Sequence, residues 1–123
     1  MKIRIKDNSV RLRLTQKEVG EFEINKKVTA KTNFANSTTL SYQLVWRNDE
    51  RFDAQFENNE ITIGVPFSIG KNWLNPNQVG MEESLHINNG SKLRVLVEKD
   101  FACLTERVDE DESDNFPNPL SHC

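Results

Sequence analysis

Positively charged side chains alternate with apolar ones over the first residues of the sequence, MKIRIKDNSVRLRL. Successive side chains of a β-strand point to opposite faces, so this alternation predicts a hairpin with its cations on one face. An arginine guanidinium donates two parallel hydrogen bonds to a phosphate or carboxylate, so such a surface suits an anion. With one arginine from a later strand, the candidate anion-binding residues are Lys2, Arg4, Lys6, Arg11, Arg13 and Arg94.

The same alternation also fits an ordinary solvent-facing surface. Exposed Lys and Arg discourage the sheet edges of different molecules from pairing. Like charges directly opposite one another are unfavourable, so solvent, cross-strand carboxylates or a bound anion must offset them. Two interpretations therefore stay open: an anion-binding face, and a structural domain with a merely solvated charged face.

A second charged segment, ERVDEDESD at 106–114, is strongly acidic and belongs to an expected C-terminal tail at 104–123. Its spacing does not match a calcium loop, which needs alternating ligands and a glycine at a fixed position. One interpretation is a solubilising tail. Another is an internal counter-ion that lies across the basic strands. Residues 1–103 are expected to form a single domain.

Other site chemistries find little support in the sequence. No glycine-rich phosphate loop is present, and the cysteines and histidines are too far apart for zinc spacing. A net charge of −3 disfavours nucleic acid, and Tyr42 and Trp46 fall in the apolar register. No membrane span or signal peptide is readable, and the only cysteines are Cys103 and Cys123. A reducing cytoplasm is therefore the expected location, without a membrane partner.

The elements that must position the cations follow from period-two alternation along most of the chain. It predicts eight strands, each with one apolar and one polar face. Turn residues at Asp7-Asn8, Asn58-Asn59 and Asn88-Gly90 separate several of them. We expect an α+β fold with an eight-stranded antiparallel sheet, strongly curved or barrel-like, and two short helices.

The first helix has a complete start signal, with Thr15 and Glu18 spaced as a capping box. The second helix begins near Pro66. The resulting order, ββαββ followed by ββαββ, allows VRLRLTQKEVGEF to be laid over ITIGVPFSIGKNW without gaps. This match suggests an internal duplication with pseudo-repeats at 1–47 and 51–100. Two similar but unrelated units are the alternative.

The stretches KIRIKDNSVRLRLTQKEV, VEKDFACL and EDESDNFPNP resemble a family of short uncharacterised bacterial proteins. The resemblance covers nearly the whole chain and implies a compact bacterial cytoplasmic domain. It brings no activity with it.

The expected architecture is also similar to the triphosphate tunnel (CYTH-like) fold, whose barrels hold polyphosphate with inward Arg and Lys. That resemblance implies a lumen lined by the six cations above together with Lys31, Arg47 and Arg51. It also implies a divalent metal, Mg²⁺ or Mn²⁺, held by Glu57, Glu82 and Glu98. The chain differs in opening with Lys-Ile-Arg-Ile-Lys, where the tunnel enzymes have Glu-x-Glu-x-Lys.

The leading functional prediction is a binding domain, without cofactor, whose basic sheet face receives an anion. The expected partner is a phosphate-bearing small molecule or an acidic protein. The alternative is a metal-assisted phosphohydrolase of tunnel type, so enzymatic activity is an open question. An enzyme needs carboxylates and cations that converge in a concave site, whereas a binding face can be flat.

Overall fold

The computed structural model describes residues 1–101, which form an α+β fold with two helices and eight strands. In chain order the elements are β1 (Lys2–Lys6), β2 (Ser9–Leu14), α1 (Gln16–Asn25), β3 (Lys27–Asn33), β4 (Thr39–Trp46), β5 (Asp53–Glu57), β6 (Glu60–Val65), α2 (Phe67–Trp73), β7 (Gly80–His86) and β8 (Lys92–Lys99). The α+β class and the element order are confirmed. The predicted acidic tail, with Cys103 and Cys123, lies outside the described residues.

The strands form two separate four-stranded sheets. Sheet A has the order β1-β2-β8-β7, and sheet B has the order β3-β4-β6-β5. The outer pairs are antiparallel, whereas the central pairs, β2 with β8 and β4 with β6, are parallel. The prediction of one antiparallel, barrel-like sheet is therefore wrong. Within residues 1–101 both sheets are mixed and open, with an edge strand on each side.

The sequence pattern could not show this pairing, because alternation reports which face of a strand is buried and not which strand lies beside it. Turn chemistry, by contrast, is local. Asp7 has a φ of 49°, and Asn58 and Asn59 have φ values of 51° and 61°, as tight hairpin turns require. The hairpins β1-β2 and β5-β6 were predictable for that reason. The parallel contacts join different hairpins and leave no such local signal.

The two halves of the chain pair their strands in the same way. Ile3 faces Leu12 across the first hairpin, and Ala54 faces Ile63 across the equivalent hairpin of the second half. Each half contributes one hairpin to each sheet, so neither sheet is built from one half alone. An origin of the two halves by duplication stays a prediction.

Both sheets and both helices share one hydrophobic core. Phe22 of α1 stacks on Trp46 of β4 with ring centroids 5.4 Å apart and meets Trp73 of α2 edge-on at 5.8 Å. The indole N–H groups are satisfied, because Trp46 donates to the Phe67 carbonyl and Trp73 to the Val79 carbonyl. The buried apolar side chains are Leu12, Leu14, Phe22, Val28, Leu44, Trp46, Ile63, Val65, Trp73, Met81, Val95 and Val97. This common core holds the sheets against each other and turns their polar faces outward.

Local signals set the ends of α1. The predicted capping box is confirmed, since the Thr15 hydroxyl accepts from the Glu18 N–H and the Glu18 carboxylate accepts from the Thr15 N–H. Lys26 closes the helix in the left-handed conformation, with φ 63°, and its N–H donates to the Phe22 carbonyl. The cap thus turns the chain directly from α1 into β3.

Candidate functional site

The outer face of sheet A gathers all six cations that the sequence singled out. Leu12 and Val97 point into the core, so their neighbours along the strands lie on the outer face of the sheet, where the Arg11 and Arg13 side chains are only 13% and 14% exposed. We call this surface the basic face and define it by Lys2, Arg4, Lys6, Arg11, Arg13 and Arg94. The structure brings these residues together as predicted. That they bind an anion stays a prediction.

The spacing of the cations follows from strand geometry. Lys2 lies directly opposite Arg13, and Arg4 directly opposite Arg11. Opposite residues of an antiparallel pair have Cβ atoms about 5 Å apart. Along one strand, residues that share a face repeat at about 7 Å. The result is an array of closely spaced positive charges on the outer face of sheet A.

Carboxylates on the neighbouring strand β8 offset part of this charge. Arg13 Nε donates to Glu98 Oε1 at 2.7 Å, and Arg11 Nε lies 3.5 Å from the same oxygen. Glu98 is thus shared by two guanidinium groups near the middle of the sheet. The Lys2 ammonium pairs with Asp100 at 2.9 Å at one end of the face.

A second carboxylate, Glu82 of β7, pairs with Arg94 at 2.8 Å. The hydrogen bond from Arg94 lowers the pKa of the Glu82 carboxyl below its ordinary value. Partial burial works in the opposite direction, while the charges of Arg94 and Arg11 add to the lowering. The cations therefore act on this carboxylate as a group.

Sheet B has the same strand topology as sheet A, but different residues occupy the centre of its outer face. Its central row runs through Thr29, Gln43, Thr62 and Gln55, all neutral. Gln43 Nε2 donates to the Thr62 hydroxyl at 3.0 Å. An open polar cleft of about 220 Å³ lies at one end of this face. Its lining residues are Ser41, Gln55, Glu57, Asn58, Glu60 and Thr62.

The two other arginines of the expected lumen lie near the β4-β5 connection, away from the basic face. Arg47 forms an ion pair with Asp53, in which Nη2 donates to Oδ1 at 2.7 Å and to Oδ2 at 2.8 Å, and Nε donates to Oδ1 at 3.1 Å. Arg51 lies 3.8 Å from Asp49. The Arg47 side chain crosses Gly64, where an added Cβ would collide with it. Lys31 points outward from β3 in sheet B. The shared lumen of nine cations is therefore a wrong expectation, because the polar faces of two open sheets look away from each other.

The three carboxylates expected as metal ligands are likewise separated. Glu82 and Glu98 lie on sheet A, where each pairs with arginine, and Glu57 lies on β5 of sheet B. Among residues 1–101, no three His, Cys, Asp or Glu side chains lie close enough together to hold a metal ion. The geometry that a tunnel-type phosphohydrolase requires does not occur in this part of the chain.

Sequence reasoning missed Lys92 and Asp100, which also lie at this surface. Lys92 precedes Arg94 by two residues on β8, so the alternation rule that found Arg94 could have found it too. Asp100 follows the last strand, and its pairing with Lys2 depends on β8 lying beside β2. No feature of the sequence predicted that β8 lies beside β2.

Two mixed sheets around a common core, with a basic outer face on one of them, define a small α+β domain. The chain matches the model of a family of unknown function, DUF7009, over residues 1–120 and belongs to that family. No curated protein matches the chain. No solved structure matches it either. The family membership agrees with the expected relation to uncharacterised proteins.

In residues 1–101, neither α1 nor α2 is long and apolar enough to cross a membrane.

Proposed function

We propose that this protein is a binding domain whose basic face receives a phosphate-bearing small molecule. The observation that carries the proposal is the contrast between the two outer sheet faces. They have equivalent topology, yet sheet A carries six cations on its outer face, whereas sheet B has a neutral central row of threonine and glutamine and carries Lys27 and Lys31 on its edge strand β3. The central row of sheet B shows that neutral polar residues can occupy the middle of an outer sheet face. The concentration of arginine on sheet A therefore favours a role beyond solubility.

The chemistry of the basic face suits phosphate. Arginine is planar, stays charged and binds phosphate oxygens through two donors at once. Glu82, Glu98 and Asp100 pair with cations of this face. A multiply charged anion is the ligand that a cluster of six cations attracts most strongly.

Single-stranded nucleic acid is a weaker candidate. Such partners stack their bases on aromatic side chains beside a basic groove. Trp46 is buried, and the Tyr42 hydroxyl donates to the Met1 carbonyl at 2.8 Å. Both belong to sheet B and face the core, so they offer no stacking surface beside the basic face.

The finer expectations from the sequence stay predictions. They are a bacterial origin, a cytoplasmic location, the absence of a resident cofactor and the internal duplication.

The proposal is tested by titrating the full chain with tripolyphosphate and measuring heat of binding and melting temperature. A ligand that binds only the folded state raises the melting temperature once its concentration passes its dissociation constant. The test variant is Arg4→Gln/Lys6→Gln, on the edge strand β1. Its matched control is Lys27→Gln/Lys31→Gln, which removes the same charge from exposed positions on the edge strand β3.

We expect the β1 variant to bind at least tenfold more weakly than the wild type and the β3 variant to bind nearly as well. Each exposed charge contact is worth about 1 kcal/mol at low ionic strength, and about 1.4 kcal/mol is a factor of ten. Equal loss in both variants, or no binding to the wild type, would leave the basic face as a solvated surface. Release of inorganic phosphate in the presence of Mg²⁺ would instead favour a phosphohydrolase.

A further inference from the structure

The strands β1 and β5 occupy equivalent edges of the two sheets. Each is the first strand of a tight hairpin, has five residues and lies outermost in its sheet. The outer side of an edge strand presents backbone N–H and C=O groups to which a strand of another molecule can bond. Both edges are therefore places where a second copy of the chain can add a strand.

Both strands also expose a large apolar side chain on their core-facing side. Ile5 lies opposite Val10 in the first hairpin and is 59% exposed. Phe56 lies opposite Ile61 in the equivalent hairpin and is 68% exposed. These two side chains extend the apolar faces of the sheets to the edges. A neighbouring strand would remove part of this apolar surface from water, which is favourable.

The outer faces of the two strands differ in charge. The outward side chains of β1 are Lys2, Arg4 and Lys6. Those of β5 are Asp53, Gln55 and Glu57. Lys2 pairs with Asp100, yet its side chain is 72% exposed, and Glu57 is exposed as well. Both can meet a charge from another molecule. Asp53 is less accessible, because Arg47 holds its carboxylate.

These charges distinguish pairing between like edges from pairing between unlike edges. If β1 met β1 of a second copy antiparallel, Arg4 would face Arg4, and Lys2 would face Lys6 twice. If β5 met β5, Asp53 would face Glu57 twice. Like charges directly opposite one another are unfavourable, so both contacts are disfavoured. When β1 meets β5, Lys2 faces Glu57 and Lys6 faces Asp53, and opposite charges attract.

We propose that β1 of one copy binds β5 of a second copy antiparallel, with Arg4 opposite Gln55. Sheet A of the first copy and sheet B of the second copy then form one continuous sheet. Because the two sheets have the same strand topology, both apolar faces lie on the same side of the joined sheet. Phe56 lies opposite Ile3 and diagonal to Ile5, within reach of an aromatic side chain.

The proposed contact joins two different surfaces, so it is heterologous. Each copy that is added carries another β1 or β5 edge, and association continues unless a ring closes. Two five-residue strands bury a small interface. We therefore expect weak association, with a Kd of the order of 100 µM.

The other two edge strands are less suited to this contact. Glu83 of β7 lies opposite the buried Val95, on the core-facing side, and an inward-pointing charge at an edge opposes strand pairing. In β3, Val28 is only 3% exposed, so a new neighbour covers less apolar surface there. Lys27 and Lys31 give β3 a positive outer side that repels β1. They would attract β5, and the test distinguishes that contact from the proposed one.

Sedimentation velocity of the full chain tests the proposal, at concentrations from about 10 µM to about 1 mM, tenfold below and above the expected Kd. We expect Lys2→Glu and Glu57→Lys to associate about tenfold more weakly than the wild type, because each replaces an attraction with a repulsion. Lys2→Glu/Glu57→Lys should recover wild-type association within about twofold, because the opposite charges face each other again. This recovery also excludes misfolding as the cause of the single losses.

A second pair of variants tests the apolar part of the contact. Phe56→Ala should weaken association about fivefold, since it removes exposed apolar surface at the β5 edge. Phe34→Ala is the matched control. Phe34 is 53% exposed and follows β3 at the opposite edge of sheet B, so its removal should leave association unchanged.

Three results would overturn the inference: a wild type that stays monomeric over the whole concentration range, equal effects of Phe56→Ala and Phe34→Ala, and a double charge variant as weak as the single ones. Weakened association in Lys27→Glu/Lys31→Glu but not in Lys2→Glu would show that β3 binds β5 instead. The inference goes beyond anion binding and does not depend on it, because Glu57→Lys leaves every cation of the basic face in place.

Discussion

At the scale of single residues, the basic face depends on one carboxylate. Glu98 stands beside Arg13 in the parallel register of β2 and β8 and accepts from it at 2.7 Å, with Arg11 at 3.5 Å. The cross-strand pair Arg4 and Arg11 adds further positive charge next to it. Without the negative charge of Glu98, several guanidinium groups would face each other with less compensation.

Glu98→Gln should lower the free energy of unfolding by about 1–2 kcal/mol, because a half-buried charged hydrogen bond is weakened while its arginines stay in place. The control is Glu82→Gln, whose side chain is 49% exposed. Exposed ion pairs contribute less than about 1 kcal/mol. Urea unfolding at neutral pH measures both variants. Equal losses would contradict a special role of Glu98.

At the scale of elements, the short helix α2 is held by a close approach to Trp46. A Cβ placed on Gly70 would lie 2.6 Å from the indole Nε1 atom, which itself donates to the Phe67 carbonyl. Gly20 of α1 is different, since an added Cβ there meets nothing within 4 Å. The two glycines therefore serve as a matched pair for separating helix propensity from packing.

Gly70→Ala is expected to destabilise the protein by up to about 2 kcal/mol. Alanine gains about 1 kcal/mol in helix propensity, but overpacking a core costs about 1–3 kcal/mol. Gly20→Ala should stabilise it by up to about 1 kcal/mol, because only the propensity term acts. Denaturant titrations of both variants provide the comparison. If Gly70→Ala were as stabilising as Gly20→Ala, the helix would not be packed against Trp46 as described.

At the scale of the whole molecule, the shared core should make the two sheets unfold together. Leu12 belongs to sheet A and is fully buried, while Trp46 is in sheet B and Trp73 ends α2. All three residues belong to one cluster. A destabilising substitution in sheet A should therefore shift the unfolding transition that tryptophan fluorescence reports.

Leu12→Ala should cost about 2–5 kcal/mol. It should shift the urea midpoints of tryptophan fluorescence and far-ultraviolet circular dichroism by the same amount, as a two-state transition requires. Ile24→Ala is the control, since Ile24 is 79% exposed and its truncation should change stability by less than about 0.5 kcal/mol. If Leu12→Ala left the urea midpoint of tryptophan fluorescence unchanged, the two sheets would unfold separately.

Much of this architecture could be predicted from the sequence, and the limit has a physical cause. Alternation located the strands and the register of Arg11 and Arg13, and local capping and turn rules located α1 and two hairpins. Those signals act within a few residues. The parallel neighbours β2 and β8 are chosen by packing over the length of the chain, so the split into two sheets had no local signature. For the same reason, the ion pair of Arg13 with Glu98 could not be predicted from the sequence.

The interleaving of the halves also has a consequence for synthesis on the ribosome. Gln43 and its sheet neighbour Thr62 are 19 residues apart in sequence, whereas Arg13 and its neighbour Glu98 are 85 apart. Contacts between near residues close with less loss of chain entropy. The nascent chain can thus assemble sheet B soon after β6 emerges. The β1-β2 hairpin pairs with β8 only after β8 has been synthesised. The positively charged surface is completed last, after nearly all of the folded region has been translated.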